Sequence, residues 1–108
     1  MRILSIETSA DETGVALIDI SGPLEKPEVE ILGSSLFSQI KLHTEYGGIY
    51  PMLAKREHIK NLPPLLEKTL KEAGESLDNP ELDIIAVTAG PGLEPALWTG
   101  IEFARELG

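Results

Sequence analysis

Two short polar stretches hold the residue types from which chemistry could be built. Thr8 to Gly14 reads Thr-Ser-Ala-Asp-Glu-Thr-Gly and places three hydroxyls and two adjacent carboxylates between hydrophobic runs. Ala89-Gly90-Pro91-Gly92 follows a second apolar run and precedes a helix-like segment. Glycines let a backbone approach a ligand closely, and a helix N-terminus favours an anion. Hydroxyls and N–H groups in the first turn suit a phosphate, and a carboxylate there could position a metal ion or a water. Each turn also has a bland explanation. The first can be a hairpin turn whose hydroxyls satisfy local backbone groups, and Gly-Pro-Gly alone is a common strand-to-helix turn. Their pairing raises the functional reading, because ligands in open α/β sheets bind beyond the carboxyl ends of the strands. Ser9, Asp11, Glu12, Gly90 and Gly92 are the candidate site residues. Asp11 and Glu12 are sequence neighbours, so at most one is expected to face the site, and the spacing leaves open which.

The elements that must position these turns can be read from periodicity. Arg2 to Thr8 and Gly14 to Ile20 are short apolar runs, and Val29 to Gln39 is a third, bent near Gly33. The loop from Ser21 to Glu28 and the short first turn make an antiparallel meander of the three. Pro51 suits the first turn of a helix, and Leu62, Leu66, Leu70 and Ala73 recur at helical spacing up to a stop at Gly74. Pro63-Pro64 predicts a kink or two abutting helices. Asp78-Asn79-Pro80 is a turn, Ile84 to Thr88 a fourth strand, and Glu94 to Leu107 a last helix. The order β-β-β-α-β-α, with the fourth strand parallel to the first, is an α/β ribonuclease H-like unit: a mixed sheet with helices packed on it.

Composition narrows the function classes. Acidic residues outnumber basic ones 18 to 9, for a net charge of −9. Phosphate backbones are bound by clustered Lys and Arg, so this chain by itself is not the main nucleic-acid binder. Without cysteine there is neither a disulfide framework nor a thiolate metal site. No run is long enough to cross a bilayer, and no signal-peptide pattern follows Met1-Arg2, so a cytoplasmic setting is expected. His43 and His58 lack metal-ligand spacing; the first reads as a loop residue and the second as a helix-surface or core-edge residue. Lys55, Arg56 and Lys60 form a small basic patch of the kind usual on a solvated helix face. Trp98 and Phe103 read as packing residues, against the sheet or a partner.

The segments "MRILSIETSADETGVALID", "SQIKLHTEYGGIYPMLAKREHIKNLPPLLEKTLKEAG" and "DIIAVTAGPGLEPALWTGIEFA" together resemble the N-terminal lobe of the TsaD family, the tRNA N6-adenosine threonylcarbamoyltransferases. The resemblance covers nearly the whole chain, in order and at the family's spacing. It implies the fold of the actin, Hsp70 and sugar-kinase ATPases, in which two ribonuclease H-like lobes enclose a cleft. It also implies transfer of threonylcarbamoyl from threonylcarbamoyl-adenylate to N6 of adenosine 37 in tRNAs reading ANN codons. On this basis Ser9, Asp11 and Glu12 match the family's first cleft loop, with Asp11 and Glu12 in catalytic roles. Gly90 and Gly92 match the loop before its second helix.

The chain departs from the family pattern in three places. Ala10 stands where the family usually has Cys, and Pro95 where a small residue is frequent. The family's metal, one iron or zinc, is held by a His-x-x-x-His pair and a far-lobe aspartate that lie outside residues 1–108, as do most adenylate-binding residues. The expectation is therefore a single N-terminal lobe, with no metal or cofactor of its own and no transfer activity alone. A TsaB-type paralogue or a second copy should dock on the helices at 51–73 and 94–107, and tRNA should bind only to the full assembly. The alternative is a non-catalytic interaction module similar to TsaB, but the "ETSADET" and "GGIYPMLAKREH" stretches fit the catalytic subunit better. A sugar-kinase-like lobe would open with an Asp where Glu7-Thr8-Ser9 stands.

Overall fold

The computed structural model describes residues 1–9, 12–23, 25–39, 51–75, 82–92 and 94–107. Ala10, Asp11, His43, Gly47-Gly48 and the Asp78-Asn79-Pro80 turn lie outside them. The elements are β1 (Arg2–Glu7), β2 (Glu12–Ser21), β3 (Glu28–Ser38), α1 (Pro51–Glu72), β4 (Ile84–Val87) and α2 (Glu94–Leu107). They form one four-stranded sheet in the order β3-β2-β1-β4. β1 pairs antiparallel with β2 and parallel with β4, which makes the sheet mixed. The order of elements and the parallel placement of β4 agree with the sequence reading.

Strand alternation sorts the residues onto two faces. Leu4, Ile6, Val15 and Leu17 point to one face and are buried with Leu62, Leu66 and Leu70 of α1. Ala54, His58, Leu62, Leu66 and Leu70 recur every four residues and, joined by Thr69, form the stripe of α1 that lies on the sheet, while the opposite side of the helix is wet. Pro63 and Pro64 fall on the wet side, inside a single 22-residue helix and not between two helices. Their missing N–H groups would have bonded the carbonyls of Ile59 and Lys60. Both of those residues are exposed, so water can satisfy the carbonyls.

α1 ends in a Schellman arrangement: Glu75 N–H donates to Leu70 O at 2.8 Å and Gly74 N–H to Lys71 O at 3.1 Å. Gly74 takes the left-handed conformation that this cap requires, with φ 75°. The turn delivers Glu75 to the guanidinium of Arg2 and so ties the helix end to the start of β1. β3 carries a register shift opposite Leu17/Ile18, with Leu32 as its additional residue. This is the bend foreseen near Gly33.

The opposite face of the sheet carries a row of four isoleucines in register, Ile31, Ile18, Ile3 and Ile84, one from each strand. Ile31 and Ile84 at the ends of that row are exposed. No helix of the described residues is long and apolar enough to cross a membrane.

Candidate functional site

The parallel pairing of β1 and β4 brings their carboxyl ends to one edge, and the antiparallel β2 starts at that same edge. Thr88, the first residue past β4, donates its N–H to Ile6 O at 3.1 Å and so extends the pairing to the lip of the loop. Both polar turns therefore meet where a ligand is expected in such a sheet.

The two turns are in direct contact. A methyl group placed on Gly92 would lie 2.6 Å from Ser9 O and 2.7 Å from Ser9 Cβ, closer than real side chains come. Only a glycine lets the second loop pass against the first here. Beneath them, Thr8 is fully buried and its hydroxyl donates to Ala96 O in the first turn of α2 at 2.7 Å. A Cβ on Gly100 would collide with that same hydroxyl, so α2 packs this closely on Thr8 because position 100 carries no side chain. Thr8, Gly92 and Gly100 together set the depth at which α2 and its preceding loop sit.

Glu7, which the sequence reading passed over, links the two loops. One carboxylate oxygen accepts the Ser9 N–H at 2.5 Å, and the other accepts the Thr88 hydroxyl at 2.5 Å. Partial burial works to raise its pKa. Hydrogen bonds from Ser9 and Thr88, with the field of His58, outweigh that effect and hold the carboxyl below its ordinary value of 4.5. The signal that could have found Glu7 is its position. It is the last residue of a strand whose Leu4, Ile6 and Thr8 point inward, so its side chain falls on the other face at the ligand edge.

Of the residues singled out from sequence, Ser9 and Gly92 are brought together, and Gly90 stands beside them in the exposed part of the second loop. Glu12 opens β2, half-buried, opposite Ser38 of β3. It lies at the same edge but one strand further from the second loop. Asp11 lies outside the described residues. His58, expected at a helix surface or core edge, is fully buried; its Nδ1 pairs with the buried Thr13 hydroxyl at 2.7 Å. That contact joins α1 to the start of β2, just past the first turn. Among the described residues no three of His, Cys, Asp and Glu converge as a metal would require.

On the helical side, a groove of about 320 Å³ runs between α1 and α2, with Ile59, Leu62, Pro63 and Phe103 among its apolar lining. Phe103 packs on the core, whereas Trp98, Ile59 and Met52 are about half or more exposed.

Comparison with known proteins agrees with this geometry. A solved structure of YeaZ from Pseudomonas aeruginosa superimposes on 98% of the chain with a TM-score of 0.58 at 21% identity, over 38% of that protein. The likeness supports the α/β lobe with its mixed sheet and packed helices. The tRNA N6-adenosine threonylcarbamoyltransferase of Aromatoleum aromaticum is 50% identical over all 108 residues, which span 29% of its length. The family model for TsaD, tRNA N6-adenosine threonylcarbamoyltransferase, matches residues 30–108. The chain belongs to the TsaD family.

Proposed function

We propose that this chain is the N-terminal part of a tRNA N6-adenosine threonylcarbamoyltransferase and forms one wall of its cleft. The observation that carries the reading is the contact between the Ser9 and Gly92 loops at the carboxyl edge of β1 and β4, in a chain of this family. In the reaction, the N6 amine of adenosine 37 attacks the carbamoyl carbon of threonylcarbamoyl-adenylate and AMP leaves. The backbone N–H groups of Gly90 and Gly92 are suited to hold the adenylate phosphate against the N-terminus of α2, with the hydroxyl of Ser9, which also bonds Glu7, at the same edge. The carboxylate of Asp11 or Glu12 orients the amine or takes its proton.

The chain covers 29% of its curated relative, and the family's metal would be held by residues outside this stretch. In this reading residues 1–108 need the rest of the cleft, with its metal and most of its adenylate contacts, for the transfer. The groove between α1 and α2, with Trp98, Ile59 and Met52 exposed on the helices, suits a TsaB-type paralogue or a second copy, and the YeaZ-like fold is compatible with such pairing. The net charge of −9 supports tRNA binding through the full assembly and not through this lobe. A tRNA-modifying family works where tRNA is, which supports a cytoplasmic location.

The test is a graft in which residues 1–108 replace the matching part of the Aromatoleum enzyme. The graft should form threonylcarbamoyladenosine on an ANN-reading tRNA, and the lobe alone should form none. A folded graft with no activity would count against the reading.

A further inference from the structure

We propose that Glu7 is a positioning residue: its carboxylate clasps the loop after β1 to the loop after β4 and so fixes the relative placement of the two loops that face the ligand. The clasp rests on its own geometry, and its use in holding an adenylate rests on the transferase reading above.

Both carboxylate oxygens are engaged, one by the Ser9 N–H and the other by the Thr88 hydroxyl, each at 2.5 Å. Ser9 and Thr88 belong to different loops and lie 79 positions apart in the chain. The β1–β4 ladder aligns the strands but stops at Ile6, Val87 and the Thr88 N–H. Beyond that point, among the described residues, the loops are joined by this side chain and by the Ser9–Gly92 contact, with the Thr8 hydroxyl on Ala96 O holding α2 behind them. The two differ in kind. The steric contact sets how close the loops can come, and the carboxylate sets how far apart they can move. An ionised carboxylate makes the stronger class of hydrogen bond, so a bridge to two donors is a firm tether. Because its oxygens face these donors, Glu7 is not offered as the base or as a metal ligand. It acts through Ser9 on one side and through Gly90 and Gly92 on the other.

Thr88→Val keeps the shape of the side chain and removes only the donor, and Thr88→Ser returns the donor. Glu7→Gln provides an independent variant, since its amide offers only one acceptor oxygen to the two donors. In the 108-residue chain, amide exchange at Ser9, Gly90 and Gly92 should quicken by about tenfold in Thr88→Val. It should return towards the wild-type rate in Thr88→Ser and quicken in Glu7→Gln, with the core amides of Leu4 and Ile6 unchanged in all three. In the graft, Thr88→Val should raise KM for threonylcarbamoyl-adenylate about tenfold, with kcat changed by less than about threefold. Serine should recover the KM. Unchanged loop exchange in both Thr88→Val and Glu7→Gln would overturn the clasp. Faster exchange with an unchanged KM in an active graft would overturn its positioning role. A wild-type graft without activity would remove the transferase reading, and the exchange rates would still decide the clasp.

Discussion

The two ends of β1 carry similar numbers of polar groups and use them differently. At the amino end, Arg2 pairs with Glu75, the Arg2 N–H donates to Asp83 at 2.8 Å, and the Met1 ammonium meets Asp19 at 3.3 Å. Two of these are opposite charges and the third is a backbone N–H on a carboxylate; together they tie strand ends and a helix cap, partly or largely open to water. At the carboxyl end, the carboxylate of Glu7 is held by an N–H and a hydroxyl, and side chains at Gly92 or Gly100 would collide with Ser9 or Thr8. Charge matched by charge fastens a scaffold and is screened where it is exposed. A carboxylate held by neutral dipoles keeps its charge and its geometry at the edge where a ligand is expected. The amino end is built to hold the lobe together and the carboxyl end to hold two loops in place.

The largest effect should come from Gly92→Ala, because the new methyl group must displace the Ser9 backbone or its own loop. A stability loss of about 1–3 kcal/mol is expected in thermal unfolding, together with at least tenfold weaker adenylate use in the graft. If alanine were tolerated in both, the contact between the loops would not be the feature that shapes this end. Thr8→Val should come next. It leaves the carbonyl of Ala96 without its buried donor and should lower stability by about 1–2 kcal/mol, seen as a lower melting temperature.

The pH dependence of Glu7 separates the two ends further. Its folded pKa lies below the unfolded value of about 4.5, so its contribution to stability is fully present above that pH and is lost as the pH falls through the lower, folded value. Glu7→Gln should therefore flatten part of the stability loss below about pH 4.5 in acid unfolding curves. A Glu7→Gln curve parallel to wild type would mean that the carboxylate is not held as described. The amino end should show the smallest effects. Arg2→Gln should cost about 1 kcal/mol or less, and Asp19→Asn less than about 0.5 kcal/mol, both shrinking further in high salt. A larger loss at Asp19 than at Gly92 would reverse the comparison.

Much of this was legible in the sequence, and the gaps have physical causes. The β-β-β-α-β-α order follows from apolar periodicity and from Gly and Pro punctuation, and Pro51 and Gly74 mark the two ends of α1 in the structure as they do in the sequence. The double proline pointed to a break because local backbone rules forbid the hydrogen bonds there. The helix runs through because those bonds fall on its wet side, which only packing decides. Ser9 and Gly92 were recognisable by residue type and by their place after strands. Glu7 and His58 were not, because a glutamate at a strand end and a histidine in a helix look like surface residues until their partners are known. Those partners, Thr88 and Thr13, lie 81 and 45 positions away. Separations of that size leave no periodic trace in the chain.

The central claim, that the carboxyl end of β1 serves the ligand and the amino end serves the scaffold, is tested most directly by one side-by-side measurement in the graft. KM for threonylcarbamoyl-adenylate is determined for Thr88→Val and for Arg2→Gln under the same conditions. Thr88→Val should raise it about tenfold while Arg2→Gln leaves it within about twofold of wild type. Equal effects from both, or a larger one from Arg2→Gln, would contradict the account.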